Sequence, residues 1–175
     1  MTVDGVDCRV KEPYPFDKDW SPRWFSEKIS GPGLCYEIAV YIMTGKICWV
    51  AGPFPCGLYN DWTIFKERGL MANLDVGERV EADNGYAAGD PLVCKTPGGP
   101  WHPIESQKIR RRVRARHESI NCLVKHWGVL SSKYHHSFFK HGNCFRAVMV
   151  LTQLRILNGA CIFSCDHYHN NVLYS

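Results

Sequence analysis

Residues 34–54 read LCYEIAVYIMTGKICWVAGPF, and this stretch decides the fold. Its first ten residues, 34–43, form a continuous β-prone run. Thr44-Gly45 is a turn signal. Residues 46–54 make a second strand, so the two runs form a hairpin. Pro53, Pro55 and Gly57 end it. Upstream, residues 2–10 read as a short strand with Asp4 near its start. Residues 11–33, rich in Pro, Asp, Trp and Gly, read as a loop with at most one short turn of helix.

Downstream the pattern changes. Asn60 or Asp61 can cap a helix running to about residue 74, because Trp62, Phe65 and Leu70 recur at roughly helical spacing. Residues 75–77 are a turn, and residues 78–82 a short strand ending at Asp83, before an Asn84-Gly85 turn. Residues 87–103 hold four prolines and three glycines and read as a loop. Residues 108–127 read as a helix. Ile109, Val113, Ile120, Val124 and Trp127 form its apolar stripe, and Gly128 supplies a stop. After a loop with Tyr134, His135, His136 and His141, residues 143–157 read as a last helix ended by Asn158-Gly159. The expected fold class is α/β: a mixed sheet with antiparallel first strands, flanked by helices. No internal repeat is visible. Residues 160–175 read as an irregular tail.

With 175 residues, 45% of them hydrophobic, one domain with a sizeable core is expected. No apolar run approaches the ~20 residues that span a bilayer, so no membrane partner is expected. The start, MTVDGVDC, has no apolar region of a secretory signal. Nine cysteines without a CxxC pair point to free thiols in a reducing, intracellular setting. The net charge of +4 is unevenly placed: between Glu105 and His126, seven Lys/Arg stand against two acids. Such a patch is the footprint of a polyanion site; the structural alternative is a solvated helix face.

Three carboxylates sit where elements end or begin: Asp4 in TVDGVDC, Asp83 in RVEADNGY and Glu118 in RARHESIN. Between the last two lie 34 residues. Phosphodiester hydrolysis needs hard oxygen ligands for divalent metal, and two such ions hold the attacking and leaving oxygens. Each acid also has a plainer reading. Asp83 can be an Asx-turn residue. Glu118, on a face with Arg111, Arg114, Asn121 and Lys125, can form surface ion pairs of ~0.3–0.5 kcal/mol each. Asp4 and Asp7 point to opposite faces of a regular strand, so only one can share a site with Asp83. Asp61 can be a helix N-cap. His117 falls nearer the apolar stripe and reads as a packed histidine. Cys161, Cys165, His167 and His169 are of zinc-ligand type, but their spacing fits no finger, and free residues are expected. There is no glycine-rich phosphate loop, no serine elbow and no coupled Cys/His pair.

The segments VDGVDC, GPGLCYEIAVYIMTGKICWVAGPFPCG, NDWTIF, GERVEADNGY, RARHESINCLVKHWGVL and VLTQLRILNG, in this order, resemble the catalytic core of DDE-superfamily transposases, in particular the Harbinger-like endonuclease domains. The resemblance implies an RNase H-like domain over residues 1–159, followed by the tail 160–175. It makes Asp4, Asp83 and Glu118 the acid triad, binding two Mg²⁺ or Mn²⁺, with Asp61 a recurrent accessory aspartate. It implies cleavage at transposon ends and strand transfer, with transposon-end or unspecific duplex DNA as partner and a nuclear location. Arg110, Arg111, Arg112, Arg114, Arg116 and Lys125 would contact DNA; the run KIRRRVRAR also suits an import signal. Family members carry a helix-turn-helix region upstream that this sequence lacks. An N-terminally truncated form is therefore expected, or a separate protein that supplies DNA binding. The alternative function is a catalytically inactive, transposase-derived domain that binds nucleic acid or a partner through its arginine segment.

Overall fold

The chain opens with β1 (Thr2–Arg9), followed by a short α1 (Ser21–Trp24), β2 (Phe25–Ser26), β3 (Gly31–Val40) and β4 (Ile47–Pro55). The computed structural model describes residues 1–12, 21–87, 93–95, 104–163 and 165. The hairpin stands where its pattern puts it. β3 and β4 pair antiparallel, and Gly45 in the connection adopts φ 69°, a left-handed conformation that glycine takes at little cost. β1 runs antiparallel along the other edge of β3, with Asp4 opposite Ile38 and Gly5 opposite Glu37.

Next come α2 (Asp61–Thr63), a π-helical turn (Ile64–Arg68) and a 3₁₀ turn (Leu70–Asn73). The helix expected over residues 60–74 is therefore broken. Its cap is as expected, since Asn60 Oδ1 accepts from Thr63 N–H at 2.8 Å. Its continuation yields to Glu37: this buried carboxylate on β3 accepts the Leu70 N–H at 3.0 Å and the Trp49 Nε1–H at 3.0 Å. A buried carboxylate needs donors, and the segment bends to give one. Burial pushes Glu37 up to about 7, against these two hydrogen bonds.

β5 (Val80–Glu81) and β6 (Cys94–Lys95) complete the sheet, both parallel to β1. The strand path is β2–β3–β1–β5–β6, with β4 also on β3. β6 falls where the sequence suggested a loop; two residues carry no periodic signal. Then α3 (Ile104–Lys125), α4 (Gly128–Ser131) and α5 (Phe138–Leu157) follow. Gly128 opens α4 rather than ending α3. α5 begins earlier than expected and includes His141, which is buried and bonded through Nδ1 to the Tyr36 hydroxyl at 2.6 Å. The result is an α/β fold: a mixed sheet with antiparallel first strands, flanked by helices, an architecture compatible with an RNase H-like fold.

Two cores form, one per sheet face. Val6, Tyr36 and Ile38 meet Ile120 and Val124 of α3 and Phe145 of α5, so the apolar stripe of α3 faces the sheet. On the other face Val3, Ala39 and Val80 meet Phe65, Leu70 and Tyr86. Each fully buried side chain of this size contributes about 1.5–3 kcal/mol. Residues 160–163 are irregular, yet Ile162 packs on the first core and Cys165 is buried against Ile42 and Val113. His167 and His169 lie outside the described residues. All nine cysteines are free thiols. Among the described residues, no helix is long and apolar enough to cross a membrane.

Candidate functional site

β5 is only two residues long, and its one register pair with β1 is Thr2–Glu81. Among the described residues, β1 pairs with no strand on this side from Asp4 to Cys8; at its end the Arg9 carbonyl accepts the Tyr134 N–H at 3.0 Å. The gap lies past the C-terminal end of a parallel strand, where α/β sheets gather ligands. Asp4, from the middle of β1, and Asp83, just after β5, both stand at this gap. Glu118 comes to it from α3. These three line one cavity of ≈70 Å³ together with Glu81, Arg114 and His117. Asp7 points elsewhere and accepts from the Ser26 hydroxyl, in line with the alternation of a strand.

Each acid is held by its own backbone logic. Asp4 Oδ1 accepts the Gly5 N–H at 2.8 Å, and Oδ2 accepts Asn121 Nδ2–H from α3 at 2.8 Å. Asp83 Oδ1 accepts the Gly85 N–H at 2.8 Å and caps the 3₁₀ turn Asn84–Tyr86. The Asx-turn reading of Asp83 is thus correct for one oxygen, and its turn also sets the carboxylate at the cavity. Asp61 is not the N-cap of α2, because Asn60 has that task. Its carboxylate lies between two glycines instead. A Cβ on Gly5 would collide with Asp61 Oδ1, and one on Gly85 would stand 2.9 Å from Asp61 Oδ2 and 3.0 Å from Asp83 Oδ1. Only glycine permits so close an approach of carboxylates to backbone. Lys28 donates to Asp61 Oδ2 at 3.2 Å.

The electrostatics follow from this crowding. Burial, then the charges of Asp83 and Asp61, push Asp4 up to about 6; Lys28 and the Gly5 N–H oppose the shift. Burial also raises Asp61, against the pull of Lys28. For Lys28 burial acts downward, but Asp61, Asp7 and Asp4 outweigh it and hold the ammonium above its ordinary value. His117 is buried, bonded through Nδ1 to Thr2 Oγ1 at 2.7 Å, and pushed down to about 4 by burial. It is the packed, neutral histidine expected from the stripe. Burial raises the Cys8 and Cys94 thiols to about 12, so neither supplies a thiolate nucleophile at neutral pH.

The arginine segment divides in two. Arg111, Arg112 and Lys125 are exposed, and Arg114 reaches the cavity. Arg110 and Arg116 do not belong to a DNA-facing surface, and this corrects the expectation for both. Arg110 is 3% exposed and its Nε lies 3.7 Å from Glu81 Oε1. Arg116 is 7% exposed and donates to the carbonyls of Ile42 and Met43. A buried guanidinium needs internal counter-groups: Arg116 has two carbonyl acceptors, and Arg110 has the ion pair with Glu81.

No family model matches the chain, and neither a curated protein nor a solved structure does. The site therefore rests on its own chemistry. Among the described residues, no three His, Cys, Asp or Glu side chains are grouped as a ready metal-holding set. Mg²⁺ does not require one: it binds through one or two carboxylates and keeps several waters. Asp4 and Asp83 are such a pair of hard donors, and the burial and the Asp83 charge that raise Asp4 are what a cation would offset. The donor set fits a hydrated divalent ion, with Glu118 and Asp61 beside it. Four neighbours were not singled out from the sequence as site residues: Lys28, Glu37, Glu81 and Asn121. For Glu37 the signal was a charge inside a continuous apolar strand.

Proposed function

We propose that this chain is a metal-dependent DNA endonuclease of transposase type, hydrolysing phosphodiesters and transferring strands through Asp4, Asp83 and Glu118. The observation that carries this reading is the meeting of these three acids, from three separate elements, at one cavity that Arg114 also lines. Asp4 and Asp83 would hold the cation, Mg²⁺ or Mn²⁺, with Glu118 completing the set; a pair of ions is what the acid triad would serve. When bound, the cation supplies charge for the attacking and leaving oxygens of the phosphodiester. Arg114 supplies a cation to the scissile phosphate. Arg111, Arg112 and Lys125 continue the positive surface along α3 and hold the DNA backbone by contacts that weaken with salt. Asn121 and the Gly5 N–H fix the Asp4 carboxylate. DNA, at transposon ends or as unspecific duplex, is the partner, and a nuclear location goes with it.

A second reading, a nucleic-acid-binding domain without chemistry, draws on one observation. The Lys28 ammonium already sits against Asp61, a counter-charge that needs no metal. Nicking of supercoiled plasmid with Mn²⁺ or Mg²⁺ separates the two. The first reading expects activity that Asp83→Ala and Glu118→Ala abolish. Nicking that survives both changes would end it, and salt-sensitive binding without nicking would favour the second.

A further inference from the structure

The inward polar face of α3 makes three contacts at the ends of β1 and β5. Arg110 pairs with Glu81, His117 bonds Thr2 Oγ1, and Asn121 donates to Asp4 Oδ2. Positions 110, 117 and 121 follow one another by whole helical turns. The first two bonds go to groups with no part in the proposed chemistry. The third goes to a carboxylate that the chemistry uses.

We infer that Asn121 is a positioning residue of the cation site, holding Asp4 in the orientation that binds the ion and tying it to the helix that carries Glu118. The inference rests on the reading of Asp4 and Asp83 as cation ligands. The Gly5 N–H takes one lone pair of Asp4 Oδ1 and Asn121 takes one of Oδ2. Each oxygen keeps a second lone pair for an outside ligand, while the plane of the carboxylate is fixed from both sides. The Gly5 bond alone comes from the neighbouring residue and cannot orient Asp4 relative to α3. Asn121 can, because it lies three residues after Glu118 on the same helix. Two ligands from different elements then share one frame, and small displacements of β1 against α3 do not pull them apart.

A second feature agrees. Asn121 Oδ1 is buried and has no hydrogen-bond partner among the described residues. A buried amide oxygen without a donor is uncommon, and water on a hydrated ion at Asp4 is a donor of the right kind. The Lys28 ammonium donates to Asp61 Oδ2 instead.

The test is Mn²⁺ binding to the full chain, followed by the electron paramagnetic resonance of free Mn²⁺. Wild type should bind, and Asp83→Asn should not. Asn121→Ala should weaken binding by about 10- to 100-fold, the usual cost of losing a partner that orients a ligand, with an unchanged circular dichroism spectrum. Asn121→Asp sets a second carboxylate against Asp4, so Mn²⁺ should raise its melting temperature by more than it raises that of wild type. Asn121→Ala binding as tightly as wild type, or Asn121→Asp showing the wild-type shift, would overturn the inference while leaving the cation site standing. Absence of binding in wild type would instead remove the cation site, and the inference with it.

Discussion

Replacing Asp4 by asparagine should stabilise the metal-free protein while removing the cation. Asp4 stands at about 6, raised from 3.8 by burial and by Asp83. In the folded chain it holds a proton that the unfolded chain has already released. Between these two values the folded state binds more protons, so stability falls as pH rises from about 3.8 to 6 and stays reduced above. Two pH units correspond to about 3 kcal/mol. Solvent contact at the cavity lowers this to about 2 kcal/mol. The introduced amide needs no charge and can serve both present partners. Its oxygen accepts the Gly5 N–H, and its nitrogen donates to Asn121 Oδ1 once the Asn121 amide turns over to present that oxygen. The assay is unfolding of Asp4→Asn in chelator at about pH 4, 6 and 8, which brackets the titration. At the highest pH the variant should melt about 4–8 °C higher than wild type, and the difference should shrink toward zero at the lowest. A variant less stable than wild type at the highest pH, or a difference independent of pH, would refute the electrostatic account of the acid cluster.

Four further outcomes follow from the same geometry. His117 and His141 are both pushed down to about 4 by burial; each should remain neutral through about pH 5 in a proton NMR titration. Because the unfolded rings charge near 6.5, each withdraws up to about 3 kcal/mol of stability as pH falls from 6.5 toward about 4. Arg116→Ala should destabilise the fold by about 3 kcal/mol or more, since two backbone carbonyls lose their buried donor. Arg111→Ala and Arg112→Ala should stay within about 0.5 kcal/mol of wild type in urea unfolding, yet each should lower the salt slope of DNA binding by about one. Phe145 stacks on Tyr36 with ring centroids 3.7 Å apart, and Phe145→Ala should cost about 3–5 kcal/mol in the same assay.

How much of this was legible differs from element to element. The hairpin was readable because residues 34–54 carry a β-prone run on each side of a turn that only glycine adopts easily. The apolar stripe of α3 was readable because Val113, Ile120 and Val124 repeat at helical spacing. The break at Gly69 was not, because the next N–H, that of Leu70, goes to a buried acid, Glu37, thirty-three residues away in sequence. β6 was not, because two residues in a strand show no period. In the site, Asp4, Asp83 and Glu118 line one cavity, but among the described residues no three such side chains form a ready metal-holding group. What the residues could not tell was which arginines go inside. Charge patterning treats Arg110 and Arg112 alike, and only packing separates them. Nor did spacing disclose that Asn60 would take the cap and leave Asp61 for the cluster.

A divalent ion held between Asp4 and Asp83 is the centre of the proposed chemistry. Anomalous scattering from crystals of the chain soaked in Mn²⁺ reads this directly. The expected result is a peak within about 2.0–2.3 Å of a carboxylate oxygen from each of these two residues, with Glu118 beside it, lost in Asp83→Asn. A peak elsewhere, or none at this cavity with the ion in excess, would contradict it.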